Sequence, residues 1–197
     1  MMTQAAITVE VPGLAVAGVG FALLVAAYLV FIFNRLVRDR NLVREGWSGI
    51  DVQLKRRHNL IPNLVEVVAG YSAHERKVLE EVTRVRAESE GAAGVKELQT
   101  SENALSQALR GLFALAERYP ELKADRTYLA LQDELVKVED HLQMARRYYN
   151  GTVRNYNIRV ESFPNNLLAG IFGFRVADFF ELETATEREA PKVEIER

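Results

Sequence analysis

The sequence predicts an all-α protein: an N-terminal transmembrane helix continuous with an up-and-down antiparallel four-helix bundle. Three observations predict it. An uncharged run of twenty residues, LAVAGVGFALLVAAYLVFIF, occupies Leu14 to Phe33. Beyond it, apolar residues recur at alternating steps of three and four, the period of one helix face. No stretch shows the Val/Ile/Thr-rich alternation between turn signals that marks a strand.

As a helix rising about 1.5 Å per residue, the apolar run matches a hydrocarbon core of about 30 Å. A cleaved secretory signal needs a basic flank before the run and a small-residue cleavage site after it. Here the preceding flank carries Glu10 and no Lys or Arg, and the run ends in FIFNR. Arg35, Arg38, Arg40 and Arg44 follow the span closely. Lys and Arg within that distance mark the cytoplasmic side, so residues 1–12 are expected outside and the bulk of the chain inside. The expectation is a single-pass protein of the cytoplasmic (inner) membrane, spanning it over 13–33. Gly18, Ala22 and Ala26 form a small-residue stripe that suits close packing against a second such helix.

The first stripe of the bundle is Leu36, Val43, Trp47, Ile50, Leu54, Ile61, Leu64, Val68 and Tyr71. It predicts one helix from Asn34 to Ser72, continuous with the span, because no turn signal separates Phe33 from Leu36. Pro62 should kink this helix without ending it, since the stripe keeps its phase on both sides. A second helix runs from His74 to Glu88 with Val78, Val82 and Val85 inward, and EGAAGV reads as a loop. The third runs from Lys96 to Tyr119, inward at Leu98, Leu105, Leu109, Leu112 and Ala116, and Pro120 ends it. The fourth carries Tyr128, Leu131, Leu135, Val138, Leu142, Ala145, Tyr149, Thr152 and Tyr156 inward as far as Phe163 and Pro164. Short connections imply antiparallel neighbours, so the bundle covers 34–162.

A chain that leaves the membrane along the first helix returns to it along the fourth. FPNNLLAGIFGF therefore falls near the bilayer, within a segment from 163 to 180. Phe163, Leu167, Leu168, Ile171, Phe172 and Phe174 give it an apolar face that either caps the bundle or rests in the lipid interface; capping is the simpler reading, since the bundle end already offers a partner. ELETATEREAPKVEIER lacks apolar periodicity, and 181–197 is expected to be a disordered tail.

Composition excludes several chemistries. A formal charge of -2 provides no basic field for nucleic acid. The absence of cysteine removes disulfides, thiolate metal sites and a cysteine nucleophile. HERKV at His74 begins like a zinc-protease motif, yet Val78 stands where the second histidine belongs. Bundle di-iron sites need Glu-x-x-His, but Lys55, Tyr71 and Val138 stand three residues before His58, His74 and His141. No phosphate-cradling loop or nucleophile elbow is present, so no catalytic residue, metal or cofactor is expected.

Two residues break the pattern. Arg57 holds a stripe position between Leu54 and Ile61 where an apolar side chain belongs. It either snorkels into solvent, the simpler reading, or is buried against a carboxylate, for which Glu134 and Asp140 on the fourth helix are the candidates. Gly151 sits inside the fourth helix, which implies either a close-packed neighbour or a weakened helix.

Four blocks in order, NRLVRDRNLVREGWSGIDVQLKRRHNLIPNLVEVVAGYSAHE, YPELKADRTYLALQDEL, ARRYYNGTVRNYN and SFPNNLLAGIFGF, resemble the bacterial LemA family. They spread from about Asn34 to Phe180. The resemblance implies an N-terminal membrane helix, a short outer N-terminus and an inner helical bundle. It carries over no catalytic residues. It also implies envelope-related partners, namely membrane metalloproteases or membrane proteins with a TPM domain. The function expected is a membrane-anchored interaction or scaffold module that self-associates and is not an enzyme. The alternative is an enzyme, or a ligand or ion sensor, with a polar pocket near Arg57 and His58.

Overall fold

The computed structural model describes residues 13–72 and 75–181. The expectations for residues 1–12, His74 and 182–197 lie outside the described residues. The described chain is all-α, with six helices in the order α1 Gly13–Tyr71, α2 Arg76–Glu90, α3 Val95–Ala116, α4 Pro120–Lys123, α5 Arg126–Glu161 and α6 Asn165–Ile171. The apolar run and the first bundle helix form one continuous helix of 59 residues, and α1 passes through Pro62. The third helix ends at Ala116, the last residue of its stripe, rather than at the expected Tyr119. A single turn, α4, follows with Pro120 at its first position, where the missing N–H costs nothing.

Residue neighbours fix the topology as up, down, up, down. Val82 and Val85 of α2, Leu105 to Ala116 of α3 and Tyr128 and Leu135 of α5 enclose Ile61, Leu64 and Val68 of α1. Nearer the apolar run, Leu142, Tyr149 and Val153 of α5 meet Ile50 and Leu54. At the end beside that run, Tyr156 and Val160 meet Ile32 and Leu36. Residue numbers rise along α1 as they fall along α5, so the two long helices are antiparallel. Their far ends are tied by Tyr71, whose hydroxyl donates to Asp125 at 3.0 Å. Asp125 is also the N-cap of α5, accepting from the backbone of Thr127 and Tyr128 at 2.8 and 2.9 Å.

The two short helices α2 and α3 cover only the half of the α1–α5 pair far from the apolar run. On the other half the chain after α6 takes their place. Gly173, at φ +69°, supplies the left-handed residue that ends α6, and Phe174 N–H reaches back to Ala169 C=O at 2.9 Å. From Phe174 to Phe180 the chain then lies as a strap along the groove, burying Phe174 and Phe180. Asn157 pairs with Ala177 through both its amide N–H and its carbonyl, at 2.9 and 2.8 Å. Asn150 pairs with Phe180 in the same manner, at 3.0 Å for each bond. Seven helical residues rise about 10 Å and three extended residues span about the same length. The two asparagines are thus spaced to read the strap's backbone at intervals of three.

Helices α1 and α5 approach closely at Gly46, where an added Cβ would lie 3.0 Å from Tyr149 Cα and 3.3 Å from Thr152 Oγ1. The anomaly at Gly151 has a different explanation from a close neighbour: a Cβ there would meet nothing within 4 Å. Gly151 faces away from the other helices of the chain. The two glycines should therefore respond oppositely to alanine. Gly151→Ala should stabilise by about 1 kcal/mol through helix propensity. Gly46→Ala should destabilise by about 1 to 3 kcal/mol through overpacking against backbone. Urea unfolding of the detergent-solubilised protein followed by circular dichroism measures both, and changes of the same sign would contradict this account.

Candidate functional site

Between the far core and the middle core lies a buried polar layer. Arg57, His58, Ser89 and Glu102 are each no more than 6% exposed. Glu102 is at its centre. It stands on the inward stripe of α3 between Leu98 and Leu105, and its carboxylate is wholly enclosed. Arg57 Nη1 donates to Glu102 Oε2 at 2.8 Å, and His58 Nε2 lies 2.6 Å from Oε1. The Ser89 hydroxyl also donates to Oε1. Arg57 Nη2 donates to Ser106 at 2.8 Å and faces Glu139 of α5 at 3.8 Å. Helices α1, α2, α3 and α5 each contribute a side chain to this one layer.

The buried reading of Arg57 is therefore the right one, and snorkelling is not. Its carboxylate partner is Glu102 of α3, not Glu134 or Asp140. Both of those are exposed on α5, where Glu134 accepts from Lys137 at 2.7 Å. Burial pushes the Glu102 carboxyl up, but the His58 hydrogen bond, the Arg57 charge and the Ser89 hydroxyl outweigh it and hold it below its ordinary value. The carboxylate thus stays ionised, and His58 Nε2 is the donor in their bond.

Pro62 adds a second constraint to the layer. With no N–H, it leaves the carbonyl of His58, four residues earlier, without its helical partner. Arg86 of α2 supplies the missing donor, its Nε reaching that carbonyl at 2.8 Å. The same guanidinium donates through Nη2 to Glu90 at 2.7 Å. A cleft of about 840 Å³ opens beside the layer, bordered by Trp47, Leu54, His58, Ser89, Val95 and Leu98. On its rim Lys55 pairs with Asp51 at 2.7 Å, and Glu90 accepts from Arg86 of α2. Among the described residues, no group of three or more His, Asp or Glu side chains is placed to hold a metal ion. His141 is exposed on α5, away from His58.

The apolar segment after α5 follows the capping reading in part. Leu168 and Phe174 are buried against α1 and cap the bundle. Phe163, Leu167, Ile171 and Phe172 are all more than half exposed. At the other end of the molecule's apolar surface, Gly18, Ala22 and Ala26 lie on the bare part of α1, where Val16 to Phe31 touch little else in the chain. This part is long and apolar enough to cross a membrane.

A bare apolar helix carrying an all-α bundle with a buried ionic layer defines a membrane-associated helical-bundle protein. The model of the LemA family matches residues 46–195. The chain belongs to the LemA family. Relatives include the magnetosome proteins MamQ 1 and MamQ 2 of Paramagnetospirillum magneticum, each 27% identical over 185 residues, covering 81% of this chain and 68% of theirs. Protein LemA of Metamycoplasma hominis is 28% identical over 148 residues, covering 72% of this chain and 66% of its own.

Two predictions follow from the layer's chemistry. Arg57→Met alone should cost about 3 to 5 kcal/mol, because it strands a buried carboxylate. Combined with Glu102→Leu it should cost less than the sum of the two single changes, and strictly additive losses in urea unfolding would refute the pairing. The sign for acid follows from the lowered carboxyl: stability is present above its ordinary value of 4.5 and is lost as pH falls through the lower folded value. The double variant should lack that acid-dependent part. Separately, Arg86→Met should cost about 1 to 3 kcal/mol by orphaning the His58 carbonyl. In a Pro62→Ala background, which restores the helical N–H, the same change should cost much less; equal losses in both backgrounds would exclude Arg86 as the surrogate donor.

Proposed function

We propose that this LemA-family protein is a single-span membrane-anchored interaction module, held with its bundle in the cytoplasm, that self-associates through the bundle. The observation that carries this reading is the outer face of α5. Leu129, Val136, Met144, Tyr148 and Ile158 are exposed there, and open space surrounds Gly151 among them. An apolar stripe of this length on a helix otherwise fully engaged in a bundle suits a partner helix. The continuity of α1 supports the anchoring, because a helix without a break gives the bundle a fixed relation to its span. The arginines after the apolar run support the cytoplasmic placement.

The pocket reading near Arg57 and His58 has less support. Both residues converge on Glu102, but the carboxylate's oxygens are filled by donors of the protein itself. An enzyme site presents titratable groups to its ligand; His58 and Ser89 border the cleft, but His58 Nε2 and the Ser89 hydroxyl are engaged with Glu102. The names of the relatives state no reaction, which also favours binding over catalysis. Membrane metalloproteases and TPM-domain proteins are the partners the family resemblance suggests for the same face, alongside the lipid bilayer itself.

Size measurement of the detergent-solubilised protein over a dilution series tests self-association. Oligomers that dissociate to monomers on Val136→Glu are expected, with helicity unchanged. Monomers at all concentrations, for the parent and the variant alike, would sink the proposal.

A further inference from the structure

The depth of α6 relative to the apolar run can be read from its neighbours. The Phe172 ring lies 4.9 Å from that of Phe33, edge to face, and Phe174 lies 5.9 Å from it. Leu29, Val30, Phe33, Leu168 and Phe172 together line a hollow of about 290 Å³ with no polar residue among them. Leu29, Val30 and Phe33 belong to the final turn of the uncharged run. Without that turn, residues 14–28 would reach only about 22 Å, well short of a hydrocarbon core of about 30 Å. The final turn is therefore needed inside the hydrocarbon, and whatever is level with it lies at the same depth.

What α6 presents at that depth suits lipid. Leu168 and Ala169 face the bundle, while Phe163, Leu167, Ile171 and Phe172 face outward at 80%, 60%, 76% and 55% exposure. Each end keeps internal backbone bonds: Asn166 N–H bonds Ser162 C=O, and Phe172 N–H bonds Leu168 C=O, each at 2.9 Å. Such bonds lower the penalty for entering the interface. Arginines lie just above this level. Arg35 packs its guanidinium over the Phe31 ring at 5.9 Å, and Arg40 over Phe174 at 4.8 Å. With the exposed Arg38, they mark the height of the phosphate groups.

We propose that α6 is a foot bedded in the bilayer leaflet facing the bundle, with acyl chains filling the hollow between Phe33 and Phe172 and anionic headgroups meeting Arg35 and Arg38. The bundle then has two attachments to the membrane, the span and the foot. This rests on residues 14–33 spanning the bilayer, and the test separates the two.

Because the chain has no cysteine, single cysteines can be introduced and labelled without background. The full-length protein is reconstituted into phosphatidylcholine vesicles, with and without phosphatidylglycerol, and an environment-sensitive fluorophore is placed at Leu167→Cys, Ile171→Cys, Leu24→Cys or Arg110→Cys, the last on α3 and off the α5 stripe. All four sites are exposed, so the substitutions should leave helicity unchanged. Labels at 167 and 171 should be blue-shifted and quenched by lipids brominated near the headgroup, several-fold more than the label at 110, which should be quenched by aqueous iodide. The label at 24 should be quenched by lipids brominated deep in the chain. Lipid quenching at 24 with iodide quenching at 167 and 171 would overturn the foot while leaving the span intact. Iodide quenching at 24 would overturn the span and the foot with it. Anionic lipid should deepen quenching at 167 relative to phosphatidylcholine alone; no difference would remove the headgroup part of the proposal.

Discussion

The bundle depends on one enclosed carboxylate. Glu102 is fully buried, and Arg57, His58 and Ser89 supply the donors that offset the cost of burying its charge. Sliding α3 by one turn along α1 would move it about 5 Å and break every one of these bonds. Hydrophobic stripes tolerate such slips because one leucine resembles the next. The ionic layer does not, and it therefore sets the register that the apolar cores on either side leave open.

The rest of the molecule is arranged around that fixed level. On one side, four helices close a conventional core. On the other, the α1–α5 pair continues alone, and the strap and α6 complete it. The layer marks the change because α2 ends at Glu90, one residue beyond Ser89. Pro62 and Arg86 belong to the same level. A proline that would otherwise weaken α1 there is compensated by a guanidinium from the helix packed beside it.

Much of this architecture was legible from periodicity. The stripes on α1 and α5 placed both helices closely, since long runs of threes and fours have no competing period. The resemblance to the LemA family, read from four blocks, matches the family to which the chain belongs. The position of Arg57 in its stripe also singled it out, although snorkelling was the simpler reading of it. Its partner was missed although the signal was present: Glu102 fills the stripe position between Leu98 and Leu105, as Arg57 does between Leu54 and Ile61. An acid on one inward stripe and a base on another are natural partners, whereas Glu134 and Asp140 lie off the inward stripe of α5. The one-turn α4 was invisible because four residues carry no period. The strap was invisible for a related reason: its docking is made by side chains of α5 that bond to its backbone, and no pattern within the strap itself announces them.

That mode of docking has a consequence for sequence change. Asn150 and Asn157 recognise amide and carbonyl groups that every residue except proline possesses. Arg175, Val176, Asp178 and Phe179 turn their side chains outward. The strap can therefore exchange most of its residues and remain seated, provided the two buried aromatic anchors and the spacing between them are kept. Such a segment is free to evolve a new outward surface, and so a new specificity, without disturbing the groove beneath it.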